Sequence, residues 1–299
     1  MKHVNLTGIG TALITPFQKN DEVDFSALSR LVDFQLQNGA DYLVVLGTTA
    51  ETPTLTASEQ KEITRFVIDK VKKRIPIVLG ISGNNTRAVV ERLKTEDMEG
   101  VDAILSAVPY YNKPSQEGIY QHYKAIAQAT PLPLVLYNVP GRTGVNMNAE
   151  TTLRLALEFD NVVAVKEASG NMTQINTIIK NKPNDFQVIS GDDGNTFSMI
   201  TFGAAGVISV IGNALPKEFS RMVHLALSGN YADALNIHNK LTELFELLFV
   251  DGSPAGVKSA LNSMGYIENE LRLPLVRARV STHERIRAVL GEFRKCAIC

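Results

Sequence analysis

Two cysteines stand in 299 residues, Cys296 and Cys299, and both belong to the terminal "CAIC". A C-x-x-C pair invites a redox or metal reading, but no further cysteine is present to complete a site. The expectation is a chain end with two reduced thiols. Histidine is nearly as scarce: residues 3, 122, 224, 238 and 283 form neither H-x-x-x-H nor H-E-x-x-H, so zinc is not expected. An excess of one charge sign is also missing. Thirty Lys+Arg against 31 Asp+Glu give a net charge of −1, which offers no electrostatic footprint for nucleic acid or an anionic membrane. The short cluster Lys72-Lys73-Arg74 falls where a predicted helix ends and complements its macrodipole. Gly203 to Leu215 is too short and glycine-rich to span a bilayer. "MKHVNLTGIG" lacks the apolar core of a secretory signal. A reduced, soluble, cytoplasmic protein is expected. Nucleotide loops are absent as well: "GIG" near the first apolar run lacks the third glycine of a dinucleotide fingerprint, and no P-loop occurs.

What is present is a repeated alternation. Short runs rich in Val, Ile and Leu occur at "GTALITPF", "DYLVVLG", "IPIVLGI", "VDAILSAVP", "LPLVLYNVP", "VVAVKEAS", "FQVISGDD" and "GVISV". They do not alternate strictly with polar residues, which suggests strands covered on both faces. Between them lie segments of helical period. "SALSRLVDFQLQNG" puts Leu28, Leu31, Phe34 and Leu36 along one stripe and ends at Gly39, a natural C-cap. "TASEQKEITRFVIDKVKK" opens on Thr56 or Ser58 as N-cap and ends basic. Strict βα alternation requires parallel strands with right-handed crossovers. Eight units between residue 8 and about residue 229 predict a closed α/β (β/α)8 TIM barrel, a fold of ~250 residues. A doubly wound open sheet is the alternative. Residues 230–299 keep helical period without further strand runs. The predicted organisation is therefore a barrel over 1–229 and a C-terminal helical extension over 230–299.

In such a barrel the reactive groups gather at the C-terminal ends of the strands. The second run ends in Gly47-Thr48-Thr49-Ala50-Glu51 and the fourth in Pro109-Tyr110-Tyr111-Asn112. The fifth ends in Tyr137-Asn138-Val139-Pro140-Gly141-Arg142, the sixth in Lys166-Glu167, and the seventh in Ser190-Gly191-Asp192-Asp193. Lys166 is the only lysine at the end of any run. Desolvation disfavours an ammonium, and a neutral amine attacks carbonyl carbon to form a Schiff base. An ion pair with Glu167 is the competing explanation, but neighbouring strand residues point to opposite faces. Tyr137 is suited to general acid–base work, or is simply a rim tyrosine with a wet hydroxyl. Thr48 and Thr49 could bind a carboxylate or serve only as β-branched strand ends. Arg142, after a Pro-Gly turn, suits bidentate carboxylate recognition, though an exposed loop arginine reads the same way.

"GTTAET", "YYNKPSQEG", "YNVPGRTG", "VKEASG", "SGDD" and "GVISV", in this order over essentially the whole chain, resemble the dihydrodipicolinate synthase family. The resemblance implies a (β/α)8 barrel with a C-terminal helical region, assembled as a homotetramer (a dimer of dimers). It also implies condensation of pyruvate with aspartate 4-semialdehyde, with no metal or organic cofactor. Lys166 would be the Schiff-base lysine and Tyr137 the proton donor and acceptor. Thr48 and Tyr111 would complete the proton relay, Tyr111 reaching in from a neighbouring subunit. Thr49, the backbone of Ile208 and Gly191 of "SGDD" would be substrate-binding, and Arg142 would receive the semialdehyde carboxylate. Two departures stand out. Ala50 replaces the glycine of "GTTGE", a change that costs energy if the position needs positive φ. Feedback-sensitive members bind lysine through a histidine and a glutamate whose positions here are Ala57 and Ala88, although Asn84 and Tyr110 remain; weak or absent lysine inhibition is expected. N-acetylneuraminate lyase and 2-keto-3-deoxy-sugar-acid aldolases share the lysine imine, but "GRTG" favours a partner bearing a carboxylate. A non-catalytic barrel that binds a 2-oxo acid is a further, poorer fit, since lysine and tyrosine both stand in full motifs.

Overall fold

Eight parallel strands close on themselves in sequence order. They are Gly8–Ala12 (β1), Tyr42–Val45 (β2), Ile77–Gly80 (β3), Ala103–Ala107 (β4), Leu134–Asn138 (β5), Val162–Glu167 (β6), Gln187–Ser190 (β7) and Gly206–Ser209 (β8). The closed barrel rules out the open sheet. The structure, a computed structural model, describes residues 4–296 and the side chains of 4–293. The side chain of Cys296 and all of Cys299 lie outside the described residues. The helices that follow the strands are Phe25–Gln37 (α1), Ala57–Val71 (α2), Thr86–Thr95 (α3), Gln116–Ala129 (α4), Pro140–Thr143 (α5), Ala149–Glu158 (α6), Met172–Asn181 (α7), Thr196–Phe202 (α8) and Pro216–Leu227 (α9). Tyr231–Leu247 (α10), Ala255–Ser263 (α11) and Val280–Cys296 (α12) follow; α10 packs on α9, and α12 on both α10 and α11. Among the described residues no helix is long and apolar enough to cross a membrane.

Strand parity sorts the core into two layers. Tyr42, Val44, Val78, Leu105, Val135, Tyr137, Ala164 and Ile208 fill the barrel interior. Their neighbours Leu43, Val45, Leu79, Ile104, Leu136 and Val165 pack outward against the helices. Each large side chain so buried contributes roughly 1.5–3 kcal/mol. Closure between β1 and β8 depends on glycine: Gly206 has φ +148°, and a Cβ there would lie 1.9 Å from the Gly8 carbonyl oxygen.

Local chemistry explains the helix ends. Thr56 and Glu59 form a reciprocal capping box at the start of α2. At its far end the Arg74 guanidinium donates to the carbonyls of Val71 and Lys70 at 2.9 and 2.6 Å, so the basic cluster caps the helix by hydrogen bonds as well as charge. The predicted stripe of α1 needs one correction. Leu28 and Leu31 are buried, but Phe34 and Leu36 are only half-buried and Gln35 takes the inner position. Its amide accepts from the Thr11 hydroxyl at 2.7 Å and donates to the Asn213 carbonyl at 3.2 Å, which offsets its desolvation.

Candidate active site

Strands β5 and β6 run in register with Tyr137 opposite Lys166 and Asn138 opposite Glu167. The period of two sends the first pair into the barrel and the second toward the helices. Lys166 is 6% exposed, and its Nζ lies 4.3 Å from the centroid of the Tyr137 ring. Among the described residues no carboxylate stands within ion-pair distance of it. Glu167, fully buried, is engaged elsewhere. It accepts from the Asn138 amide at 3.1 and 3.2 Å, the Gln174 amide at 3.0 Å and the Ser169 N–H at 2.8 Å. The lysine therefore ends an apolar strand without a counter-ion, while its neighbour anchors the strand from behind.

Lys166 and Tyr137 line a cavity of about 400 Å³ at the C-terminal ends of the strands, together with Thr48, Arg142, Thr143 and Tyr110. Thr48 comes from a 3-10 turn, Thr48–Ala50, bracketed by two residues of left-handed conformation, Leu46 (φ 55°) and Glu51 (φ 56°). Ala50 itself is not among the residues of positive φ, so the methyl it carries causes no strain there. Thr49 is buried beside Thr48 and does not line the cavity. Ile208 is also off the cavity wall, in the interior cluster with Ala12, Val44 and Tyr137. Gly191 lies against the nucleophile itself: a Cβ there would stand 3.1 Å from Lys166 Cγ and Cε and 2.7 Å from Ala168 Cβ. Arg142 sits exposed at the rim, on α5, a single helical turn where a Pro-Gly turn was predicted; the Thr143 hydroxyl fastens that turn to the carbonyl of Val145 at 2.8 Å. Tyr111 stands apart from the cavity in a different way, on the surface: it is 88% exposed, has φ 70°, and does not line the cavity of its own chain.

A family model for the dihydrodipicolinate synthetase family matches residues 5–292. The chain belongs to that family. It is 69% identical over 297 residues to the 4-hydroxy-tetrahydrodipicolinate synthase of Parabacteroides distasonis, covering 99% of this chain and 100% of the relative. The crystal structure of dihydrodipicolinate synthase from Thermotoga maritima superposes with a TM-score of 0.94 at 44% identity, covering 96% of this chain and 98% of that one. The chloride-inhibited synthase of Acinetobacter baumannii complexed with pyruvate superposes with a TM-score of 0.93 at 40% identity, over 96% of this chain and 98% of that one.

Two charged residues of this family member were given no role by the sequence. Lys258, on α11, is fully buried and ion-paired with Glu51, donates to the Glu270 carbonyl at 2.8 Å, and stands 4.2 Å from the centroid of the Phe17 ring. Burial pushes its ammonium down to about 8, against the pull of Glu51. Its one sequence signal was a lysine among small residues in "SPAGVKSALNSMG". Asp193 is also buried: one carboxylate oxygen accepts from the N–H groups of Val210 and Ile211 at 3.0 and 2.8 Å, holding the turn after β8. Burial pushes its carboxyl up to about 6, and those N–H bonds oppose the rise.

Proposed function

We propose that the protein condenses pyruvate with L-aspartate 4-semialdehyde through a Schiff base on Lys166, giving 4-hydroxy-tetrahydrodipicolinate. The observation that carries the reading is the buried Lys166 amine, without a carboxylate partner among the described residues, lying against the Tyr137 ring on the cavity wall. Family membership and the named relatives supply the substrates. The amine adds to the ketone carbon of pyruvate, water leaves, and the imine loses a methyl proton to give an enamine. The enamine carbon attacks the aldehyde. The amino group of the second substrate then displaces Lys166 by transimination, closing the ring and restoring the free amine. In this reading Tyr137 takes and returns the protons, with Thr48 next in the relay. Arg142 at the rim suits the carboxylate of the incoming semialdehyde. Gly191 leaves room for the lysine stem, and the assignment of Thr49 and the Ile208 backbone, off the cavity wall, to the pyruvate end comes from the family resemblance.

Tyr111, exposed and outside its own cavity, fits a role in the cavity of a neighbouring subunit, within a homotetramer built as a dimer of dimers. The half-exposed Phe202, Tyr231 and Leu235 offer apolar surface for such assembly. A reduced cytoplasmic setting suits this chemistry.

Borohydride with pyruvate tests the reading. The intact mass should gain one reduced pyruvyl group, and Lys166→Ala should abolish the gain. Condensation should follow with aspartate 4-semialdehyde; turnover with N-acetylmannosamine alone would reassign the enzyme to the sugar-acid lyases. No trapping in the unaltered protein would leave a binding barrel.

A further inference from the structure

The loop that carries Thr48 is gripped from the far end of the chain. Glu51, one residue beyond the Thr48–Ala50 turn and 1% exposed, ion-pairs with Lys258 of α11. Its other carboxylate oxygen accepts the Arg272 N–H at 3.1 Å. The Arg272 guanidinium then donates to the Thr54 carbonyl at 3.1 Å and to both carboxylate oxygens of Glu59 at 2.9 and 2.6 Å. Phe17 lies beside both cations, its ring centroid 4.2 Å from Lys258 Nζ and 4.4 Å from Arg272 Cζ. Inside the loop, the Thr52 hydroxyl donates to the Gly47 carbonyl and the Thr15 hydroxyl to the Ala50 carbonyl, at 2.9 and 2.8 Å. The turn is thus tied on its inner side to the barrel and on its outer side to the C-terminal region.

We infer that Lys258 and Glu51, with Arg272, are positioning residues for the reaction: the helical region beyond the barrel sets where the Thr48 hydroxyl stands relative to Tyr137 and Lys166. A buried ion pair is a poor way to gain stability, because desolving two charges offsets most of their attraction and an apolar pair of similar size does as well. What it adds is direction. Glu51 also adopts the left-handed backbone region, which disfavours a residue with a side chain unless its surroundings hold it there. Both features concentrate at the residue that ends the Thr48 turn. The inference rests on the Schiff-base reading above, in which Thr48 relays protons.

A double-mutant cycle tests it in the full-length enzyme, after trapping and turnover of the unaltered protein have established the chemistry. Lys258→Met, Thr48→Val and their combination are compared by kcat, by KM for pyruvate, and by the rate of borohydride trapping. If Lys258 acts through Thr48, Lys258→Met lowers kcat about 10–100-fold, and the double variant is no slower than Thr48→Val alone, since residues that act as a unit are not additive. Trapping of pyruvate on Lys166 persists in all three. Multiplying losses, or a kcat for Lys258→Met within twofold of the unaltered enzyme, would overturn the inference. Glu51→Gln, nearly isosteric, runs the same cycle if Lys258→Met does not fold.

Discussion

Two lysines among the described residues are buried, and each lies against an aromatic ring: Lys166 by Tyr137 at 4.3 Å and Lys258 by Phe17 at 4.2 Å. Their surroundings otherwise differ in kind. Lys258 has a carboxylate, a carbonyl and no access to the cavity. Lys166 has the cavity and no carboxylate. Both amines lie in the interior, and the fold sets a counter-charge against only one of them. An amine kept for bonding to carbon must not be committed to a counter-ion. Unpaired burial therefore marks the reagent, and paired burial marks the scaffold.

The sharpest way to break this contrast is to replace each lysine by methionine. Lys166→Met should remove turnover and pyruvate trapping, a loss of at least ~10⁴-fold, because no other group can form the imine. Its denaturation midpoint should stay level or rise, since no partner is orphaned. Lys258→Met should do the reverse to stability. Glu51 is left as a buried carboxylate without its cation, a fault that costs roughly 3–5 kcal/mol by denaturant titration. Adding Glu51→Gln should recover most of that. If Lys166→Met destabilises as much as Lys258→Met, the distinction between reagent and scaffold fails.

Two other buried ionisable groups extend the contrast along the pH axis, and they have opposite signs. Burial pushes His122 down to about 4 and Asp193 up to about 6. As pH falls from 6.5 to 4, the unfolded chain takes up a proton at residue 122 before the folded protein does, so stability drops. As pH rises from 3.8 to 6, the unfolded chain releases the residue 193 proton first, so stability again drops. The slopes largely cancel between pH 4 and 6. His122→Gln should therefore gain on the unaltered protein by about 3 kcal/mol on acidification from 6.5 to 4, while Asp193→Asn should gain a similar amount on going from 4 to 6. Unfolding titrations at three pH values suffice; parallel curves for all three proteins would refute the assignment.

The sequence made the reagent lysine legible and left the scaffold lysine dark, for a physical reason. Lys166 is marked by local order: eight apolar runs imply a barrel, strand parity separates it from Glu167, and four other runs deliver polar residues to the same end. Lys258 acquires its meaning only from Glu51, 207 residues earlier, a pairing that no periodicity encodes. Gln35 escaped for the same reason, as its partners Thr11 and Asn213 belong to other elements. Thr48, Tyr137, Arg142 and Lys166 converge on one cavity because each is local to a strand end. Tyr111 does not, and its expected place depends on a second chain.

The smallest expected effect concerns a third lysine, the free amino acid. Its side-chain ammonium, if enclosed, needs what Lys258 has, an opposed carboxylate. In the region where feedback-sensitive relatives take lysine, Asn84 and Tyr110 do come together, the Asn84 amide donating to the Tyr110 carbonyl at 3.4 Å. But the positions expected to supply a histidine and a glutamate carry Ala57, the first residue of α2, and Ala88 on α3, and both methyls are exposed. A missing charge partner weakens an ammonium ligand by several kcal/mol, on the order of 2–5. Millimolar lysine should therefore leave the initial rate nearly unchanged, and Ala88→Glu should introduce measurable inhibition by returning the carboxylate. Half-inhibition of the unaltered enzyme at sub-millimolar lysine would mean that this cleft satisfies an ammonium without a carboxylate at 88, and the rule drawn from Lys166 and Lys258 would not extend to ligands.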